Sequence, residues 1–413
     1  MSAPTRIASR NLLVTVAMVF AVFTGFAFVI PFLPLYVREL GVREPEAVAL
    51  WAGVLLGISP LLSGLLAPVW GRFADRHGHK AVVTKALVAY VVILVLTAGV
   101  KNIGQLLLLR IGSGLFGGIG PLGLAMATSQ SRREETGRAV GLIQAAQILA
   151  AAIGPLSGGL LADAIGIRRT FLLTALLCAV ALVLVQTLYV EQGPAESRAV
   201  PPSAPFRTVT ALPGVVALLG VLFLVNFIGR SFTPILPLHL MALGLPASRT
   251  ASATGLLIAV YSLAAAASAA LLGRLSRTIA PRGLLLATLA GGAVVVLPMA
   301  LVPSFELMLA LALLLGLVSG GSLTLCYTIG GLMVPAEVRT TAFGFFAGAA
   351  LFGGALSPSI AGLVAHVSLR GIYWLDALLY VALAAALAYG GGLLPASAAP
   401  PAGDVESGPT RPG

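Results

Sequence analysis

Long apolar stretches, separated by short polar segments, fill most of this chain. About twelve of them reach the length of about 20 residues that a helix needs to cross a hydrocarbon core. They cover residues 12–36, 48–70, 82–100, 103–128, 139–164, 170–190, 212–240, 251–272, 284–302, 306–334, 341–366 and 371–394. The stretches are continuously apolar and do not alternate, which favours helices over barrel strands. The pattern predicts an all-α membrane protein.

Composition supports this reading and fixes an orientation. Charged residues make up 9% of the chain and apolar residues 58%, against about 25% charged in soluble domains. The net charge of +11 raises the possibility of a nucleic-acid partner. With a cytoplasmic N-terminus, however, about sixteen basic residues fall on the cytoplasmic side and about seven on the other, as the positive-inside rule requires. We therefore expect both termini in the cytoplasm, a bacterial inner membrane with its lipids as surroundings, and no nucleic acid.

Two halves of the chain repeat each other. A polar, proline-rich interruption predicts a first six-helix bundle at 1–190, a cytoplasmic linker at 191–211, a second bundle at 212–394 and a disordered cytoplasmic tail at 395–413. At an offset of about 203 residues, Pro31, Pro34, Pro155 and Gly159 match Pro234, Pro237, Pro358 and Gly362. Two pseudo-symmetric bundles imply a cavity between them and a rocking motion that alternates access.

Four short motifs carry a family resemblance. They are Gly25-xxxxx-Pro31-xx-Pro34, the decapeptide Gly71 to Lys80, Leu106-xxx-Arg110-xx-Ser113-Gly114, and Gly154-Pro155-xx-Gly158-Gly159-Leu160-Leu161. On these residues the chain resembles the major facilitator superfamily and, within it, the twelve-span drug:proton antiporters. Four positions depart from the family pattern: Phe73 replaces a usual Leu, His79 a usual Arg, Ser113 a usual Gln, and Ala150 the first Gly of the fifth-span motif.

The decapeptide is expected to form a charged loop between spans 2 and 3. The resemblance implies that it gates the transporter and that Asp75 holds the halves together in the outward-open state, by docking near the start of span 11. The other gating candidates are Gly71, Arg76, Gly78 and Lys80. The glycines permit close backbone approach. A plain positive-inside loop is the alternative.

The fifth span contains the antiporter motif Gly154, Pro155, Gly158 and Gly159. Small residues four positions apart let membrane helices approach closely, and proline bends a helix. The resemblance implies export, and we expect this helix to seal the interface between the halves against leakage. Generic helix packing is the alternative.

Two arginines lie within spans, where each costs about 2.5–3.5 kcal/mol on insertion scales. The resemblance implies that Arg110 influences a proton site. Arg230 lies one helical turn after Asn226. It is either an anchor for an acidic or polar substrate group or an internal partner of Asp376 or another polar residue.

Four further residues are candidates for the substrate cavity. Gln144 and Gln147 share a face of span 5 and can hydrogen-bond a ligand. Tyr261 and Tyr327 lie in spans 8 and 10, which line the cavity in this family. Interhelical hydrogen bonding and ordinary packing are the alternatives. A cavity of this apolar kind would suit lipophilic drugs.

The proton carrier is the weakest part of the resemblance, because the first span has no acidic residue. The coupling candidates are Arg110, Asp163 and Asp376, with His239 and His366 as alternatives whose ordinary pKa lies nearer neutrality. Uniport, or exchange for another ion, stays open.

The sequence thus predicts a secondary active transporter that exports multiple drugs or small lipophilic compounds by alternating access and proton antiport, as a monomer. An exporter of an anionic or sugar-like metabolite is the alternative, and a non-transporting membrane sensor or scaffold is the alternative of another class. No catalytic constellation, metal-ligand spacing or phosphate-binding loop is present in the sequence, so we expect no enzyme, cofactor or metal.

Overall fold

The computed structural model describes residues 3–129, 136–191, 206–335 and 338–389, and every regular element in these ranges is a helix. The helices are α1 (Ala3–Val29), α2 (Leu33–Glu39), α3 (Pro45–His77), α4 (His79–Ala98), α5 (Ile103–Leu115), α6 (Ile119–Ser129), α7 (Thr136–Ile165), α8 (Ile167–Leu188), α9 (Phe206–Thr210), α10 (Val215–Ser231), α11 (Leu236–Ala242), α12 (Ala247–Leu275), α13 (Pro281–Met299), α14 (Phe305–Ser319), α15 (Ser322–Met333), α16 (Arg339–Val367) and α17 (Gly371–Tyr389).

Twelve segments of these helices are long and apolar enough to cross a membrane. Six precede the polar interruption and six follow it, which confirms the predicted all-α architecture of twelve spans. Most of the interruption and the whole predicted tail lie outside the described residues, so the domain boundaries stay predictions.

Four spans are broken, although the hydropathy pattern predicted continuous helices. The breaks separate α1 from α2, α5 from α6, α10 from α11, and α14 from α15. Those in spans 1 and 7 contain Pro31 and Pro234, and those in spans 4 and 10 fall at Gly118 and Gly321. A break of two to four mostly apolar residues leaves the hydropathy of a span nearly unchanged, which is why the pattern did not reveal it.

The expected charged loop between spans 2 and 3 is mostly helix, so that prediction was wrong. Helix α3 continues through His77, and α4 begins at His79. Only Gly78 interrupts the helices, with a φ of 87° that favours glycine. Charged residues at the water-exposed end of a long helix keep their solvation, so they do not end the helix there.

The molecule has two opposite faces, a near face and a far face. The near face carries the α3–α4 junction and the α12–α13 junction, and the far face carries the α2–α3 and α11–α12 junctions. On the far-face side, α3 packs against α16 and α7 against α12. A Cβ added to Gly53 on α3 would overlap the backbone of Pro358, and one added to Gly255 on α12 would overlap the backbone of Pro155. The two crossings are equivalent under the internal repeat and close the far face.

The near-face side of the same helices is open. Gly141 on α7 and Gly344 on α16 are exposed, and neither has a neighbouring atom within 4 Å of its ideal Cβ position. Helices α6 and α15, the near-face halves of spans 4 and 10, pack mainly within their own bundles. The molecule therefore has a closed far face and an open near face.

Candidate functional site

A cavity of about 170 Å³ lies where span 10 is broken between α14 and α15. Its polar lining comes from four helices and consists of Asn226, Arg230, Tyr261, Ser319 and Tyr380. Gly320, at the break, also lines it. A broken helix at mid-membrane is the usual setting of a transporter binding site, because unwound backbone and helix ends there face a cavity.

Arg230 is the one cation among the residues that line this cavity. Its side chain is exposed although it lies within a span. A Cβ at Gly354 on α16 would lie 3.1 Å from Arg230 Cδ, so the missing side chain at this position makes room for the arginine stem. Within the described part of the chain, the guanidinium has no hydrogen-bonding or ion-pair partner. Arg230 is thus a water-accessible charge available to a ligand.

Asp376 on α17 is fully buried, behind the cavity rather than in it. Ser231 Oγ donates a hydrogen bond to its Oδ2 atom, and its Oδ1 atom is buried without a partner among the described residues. A serine hydroxyl, and not Arg230, therefore contacts this carboxyl group. Of the two interpretations of Arg230, the ion pair with Asp376 is not what the structure shows.

A second buried polar pair adjoins Asp376 toward the far face. His239 Nδ1 and the Tyr373 hydroxyl share a hydrogen bond of 2.9 Å, and their rings meet edge to face with centroids 5.3 Å apart. His239 Nε2 is buried without a partner in the described residues. Sequence reasoning missed Ser231, Tyr373 and Tyr380. The available signal was the helical spacing of Tyr373, Asp376 and Tyr380 on one face of span 12.

The three coupling candidates do not meet. Arg110 lies on α5 in the first bundle, where its carbonyl accepts a hydrogen bond of 2.7 Å from Ser59 and its Nε atom is buried without a described partner. Asp163, at the far-face end of α7, accepts a 2.8 Å hydrogen bond from the backbone N–H of Ser252 on α12. Asp163 therefore joins the two bundles, whereas Asp376 is buried within the second.

The remaining cavity candidates occupy separate places. Gln144 is exposed on α7. Gln147 Nε2 lies 3.9 Å from the ideal Cβ position of Gly120, next to the ring of Phe23. Tyr327 stacks on Phe343 at 5.9 Å and is not among the residues that line the 170 Å³ cavity. Only Asn226, Arg230 and Tyr261 are brought together there.

The antiporter-motif glycines serve two different contacts. Gly154 packs against Ala27, and Gly158 against the backbone of Phe28, both on α1 of the same bundle. Gly159 instead meets the backbone of α12 at Ala251, across the boundary between the bundles. The motif helix thus packs closely against neighbours on both sides.

The gating candidates make no described contact with the second bundle. Lys80 Nζ donates to the carbonyl oxygens of Gln186 and Tyr189 in the first bundle, at 3.0 and 2.7 Å. Arg76 is exposed, and Gly71 has no atom within 4 Å of its ideal Cβ position. The side chain of Asp75 lies outside the described residues.

Comparison with known proteins assigns a family to this arrangement. The family model described as Major Facilitator Superfamily matches residues 15–302 and 218–411. The chain belongs to the major facilitator superfamily. This confirms the resemblance based on the four motifs, and it places the chain among transporters rather than enzymes.

Curated members of the superfamily align with most of the chain. The Multidrug resistance protein MdtG of Proteus mirabilis is 33% identical over 307 residues, which are 74% of this chain and 76% of that protein. The MdtG of Dickeya zeae is 34% identical over 312 residues, again 74% and 76% of the two chains. These relatives make the chain a multi-pass membrane transporter.

Solved structures share the fold. A bacterial homologue of the human lysosomal transporter Spinster, described as inward-facing and occupied, superposes with a TM-score of 0.78 at 17% identity and covers 94% of this chain and 97% of its own. A point mutant of the nucleoside transporter NupG has a TM-score of 0.69 at 13% identity and covers 91% and 99% of the two chains.

Proposed function

We propose that this protein is a secondary active transporter of the bacterial inner membrane that exports small lipophilic compounds by alternating access in exchange for protons. The near face is then the cytoplasmic face, and both termini lie there. The relatives named as multidrug resistance proteins support this substrate class. The observation that carries the proposal is an open near face combined with a far face closed by two equivalent crossings.

The two crossings supply a physical basis for alternation. Each places a glycine against the backbone of a proline, so the helices meet without intervening side chains. Such a contact is either fully made or lost, because close-packed interfaces switch rather than deform continuously. When the far-face crossings separate, the near-face halves of the same helices can close, and a compound bound between the bundles is released on the other side.

The motif residues take their roles within this cycle. Gly159 and Pro155 form part of the far-face closure, and Gly71, Asp75, Arg76, Gly78 and Lys80 form the near-face closure of the opposite state. The open near face agrees with the lack of described contacts between these gating residues and the second bundle. Gln144, Gln147 and Tyr327 contribute to compound binding on the open side.

A substrate with an acidic group is the second candidate, and Arg230 favours it. A guanidinium inside a membrane span, where the effective dielectric constant is lower than in bulk water, attracts an anion more strongly than the same group does at a fully solvated surface. No acidic side chain is among the residues that line this cavity. A lipophilic cation would therefore meet only an unbalanced positive charge there.

Transport into inverted membrane vesicles tests both candidates. Ethidium is the cationic probe and carboxyfluorescein the anionic probe, each measured with and without an imposed pH gradient. We expect vesicles that contain the protein to accumulate dye, and we expect this accumulation to stop when an ionophore collapses the pH gradient. Accumulation of carboxyfluorescein alone would select the anionic substrate class. If vesicles with the protein accumulate neither dye faster than vesicles without it, the proposal of lipophilic export fails.

A further inference from the structure

The buried polar cluster around Asp376 exists in only one of the two repeated halves. At the repeat offset of about 203 residues, Asp376, Ser231 and Tyr380 correspond to Leu173, Phe28 and Leu177. The first bundle thus builds the same helices with apolar side chains at these positions. The fold does not require polar groups at these positions, and burying polar groups is costly. Their presence points to a function specific to the second bundle.

The cluster follows one face of α17 from the far face to the cavity. Tyr373, Asp376 and Tyr380 recur at intervals of three and four residues, so they lie one above the other. Tyr373 is hydrogen-bonded to His239 on the far-face side. Tyr380 reaches the lining of the cavity. All of these side chains are at most 5% exposed.

We propose that Asp376 is the proton carrier of this transporter, and that His239 and Tyr373 connect it to the far face. This rests on the proposed proton antiport and adds to it the residue and the route. The Oδ1 atom of Asp376, which lacks a described partner, is where the carried proton resides. Before transfer, His239 takes up a second ring proton from the far face. Its Nδ1–H proton then passes to the Tyr373 oxygen while the Tyr373 hydroxyl proton passes to the carboxylate, which leaves both His239 and Tyr373 neutral.

No charged group of the surrounding helices neutralises an ionised Asp376. The facing groups are Ser231 on α10, Tyr261 on α12, and Tyr373 and Tyr380 on α17 itself. On the segments around α17, the other titratable groups lie elsewhere: Arg230 in the cavity, Arg282 at the near-face start of α13, Arg339 and His366 at the two ends of α16, and Arg370 on the far-face side near His239. Burying an ionised carboxylate that has only hydroxyl neighbours is therefore strongly unfavourable.

This gives the conformational change a direction. The near-open conformation buries Asp376 completely and therefore favours the neutral acid. Loss of the proton destabilises this conformation relative to any in which water or a cation reaches the carboxylate. Raising the pH is thus expected to shift the protein from near-open to far-open, which is the order of events that an antiporter needs.

The test measures this equilibrium without a substrate. Spin labels are attached through cysteines at Ala164 and Ser248, which are exposed on the far face of the first and second bundles. Their separation in purified, reconstituted protein is recorded between pH 5 and 9. A pair at Lys101 and Ala164, both in the first bundle, reports any movement that does not involve the second. The buried Cys178 and Cys326 are replaced by serine if they react.

We expect the distance in the unsubstituted protein to lengthen as the pH rises. Asp376→Asn should keep the short, near-open distance at every pH, because it cannot ionise. Asp163→Asn, an acid replaced at the same face in the other bundle, should respond like the unsubstituted protein. Tyr373→Phe and His239→Gln should leave the equilibrium response in place but slow its relaxation after a pH jump by at least fivefold.

The outcomes separate this inference from the function on which it rests. If Asp376→Asn still responds to pH, Asp376 is not the carrier, although proton antiport stands. If Tyr373→Phe and His239→Gln relax at the unsubstituted rate, the route is wrong. If the unsubstituted protein responds neither to pH in this assay nor to a pH gradient in vesicles, proton antiport itself is wrong.

Discussion

The far-face crossings make the substitution Gly255→Ala the most direct test of the conformational cycle. The added methyl group would occupy the space of the backbone carbonyl of Pro155 on the opposing helix. A backbone group cannot rotate away as a flexible side chain can, so α7 and α12 must separate. The strain exists only while the far face is closed, and the substitution therefore acts on one state of the cycle.

The size of the effect follows from the cost of overpacking, typically about 1–3 kcal/mol. Because 1.4 kcal/mol corresponds to a tenfold change in an equilibrium constant, the far-open population should rise by about 5- to 150-fold relative to the near-open one. Gly53→Ala should act alike, because its methyl group meets Pro358 at the equivalent crossing. It also serves as the second variant if Gly255→Ala is poorly produced.

Two matched controls come from the same helices. Gly141→Ala on α7 and Gly344→Ala on α16 place a methyl group where no atom lies within 4 Å. The controls and the crossing variants have the same gain in helix propensity, up to about 1 kcal/mol, because each replaces a helical glycine by alanine. The assay is the spin-label distance between positions 164 and 248. An unchanged distance in both crossing variants, or an equal increase in the controls, would refute the reasoning.

Three further predictions concern single side chains. Arg230→Gln should slow carboxyfluorescein transport at least tenfold and leave ethidium transport unaffected. Arg230→Lys should retain part of the carboxyfluorescein transport. Initial rates of dye uptake into inverted vesicles measure the effect of each variant. Asp75→Asn should slow transport several-fold without lowering the amount of protein in the membrane, which immunoblotting quantifies, and normal turnover would remove the gating role. Asp163→Ala removes the acceptor of the hydrogen bond from the Ser252 N–H, which is worth about 1 kcal/mol at a half-exposed site. The far-open fraction should therefore rise roughly fivefold in the same distance measurement. Asp163→Asn retains an acceptor and should change this fraction little.

The architecture could be predicted from the sequence because lipid imposes it. A chain with so few charges must form spans, and the repeat offset that relates Pro155 to Pro358 fixes two equivalent halves. The breaks inside spans 4 and 10 could not be predicted, because Gly118 and Gly321 are as compatible with a packed membrane helix as with its interruption. Those inside spans 1 and 7 had a signal in Pro31 and Pro234, which hydropathy alone does not use. The helical conformation of the Gly71–Lys80 segment was also not predicted. Charged residues indicate contact with water, but they do not indicate whether the backbone is a loop or a helix.

The site could be predicted only in part. Asn226, Arg230 and Tyr261 were candidates because each is an unusual residue in its span, and the structure brings them to one cavity. Ser231 was not a candidate, since a serine is unremarkable in a membrane helix. Its importance depends on the distance to Asp376, which is 145 positions away. Contacts of such long sequence separation follow from the packing of helices and leave no local pattern.

Adjacent residues on α10 have different tasks: Arg230 points into the cavity and Ser231 contacts Asp376. Under the proposed roles of Arg230 and Asp376, substrate selectivity and proton coupling therefore depend on one turn of one helix. On this proposal, mutations in this turn that change the accepted substrate are expected to disturb proton coupling as well. Natural selection for a broader resistance spectrum should accordingly act on the first half of the chain, where side chains can change without reaching the carboxyl group.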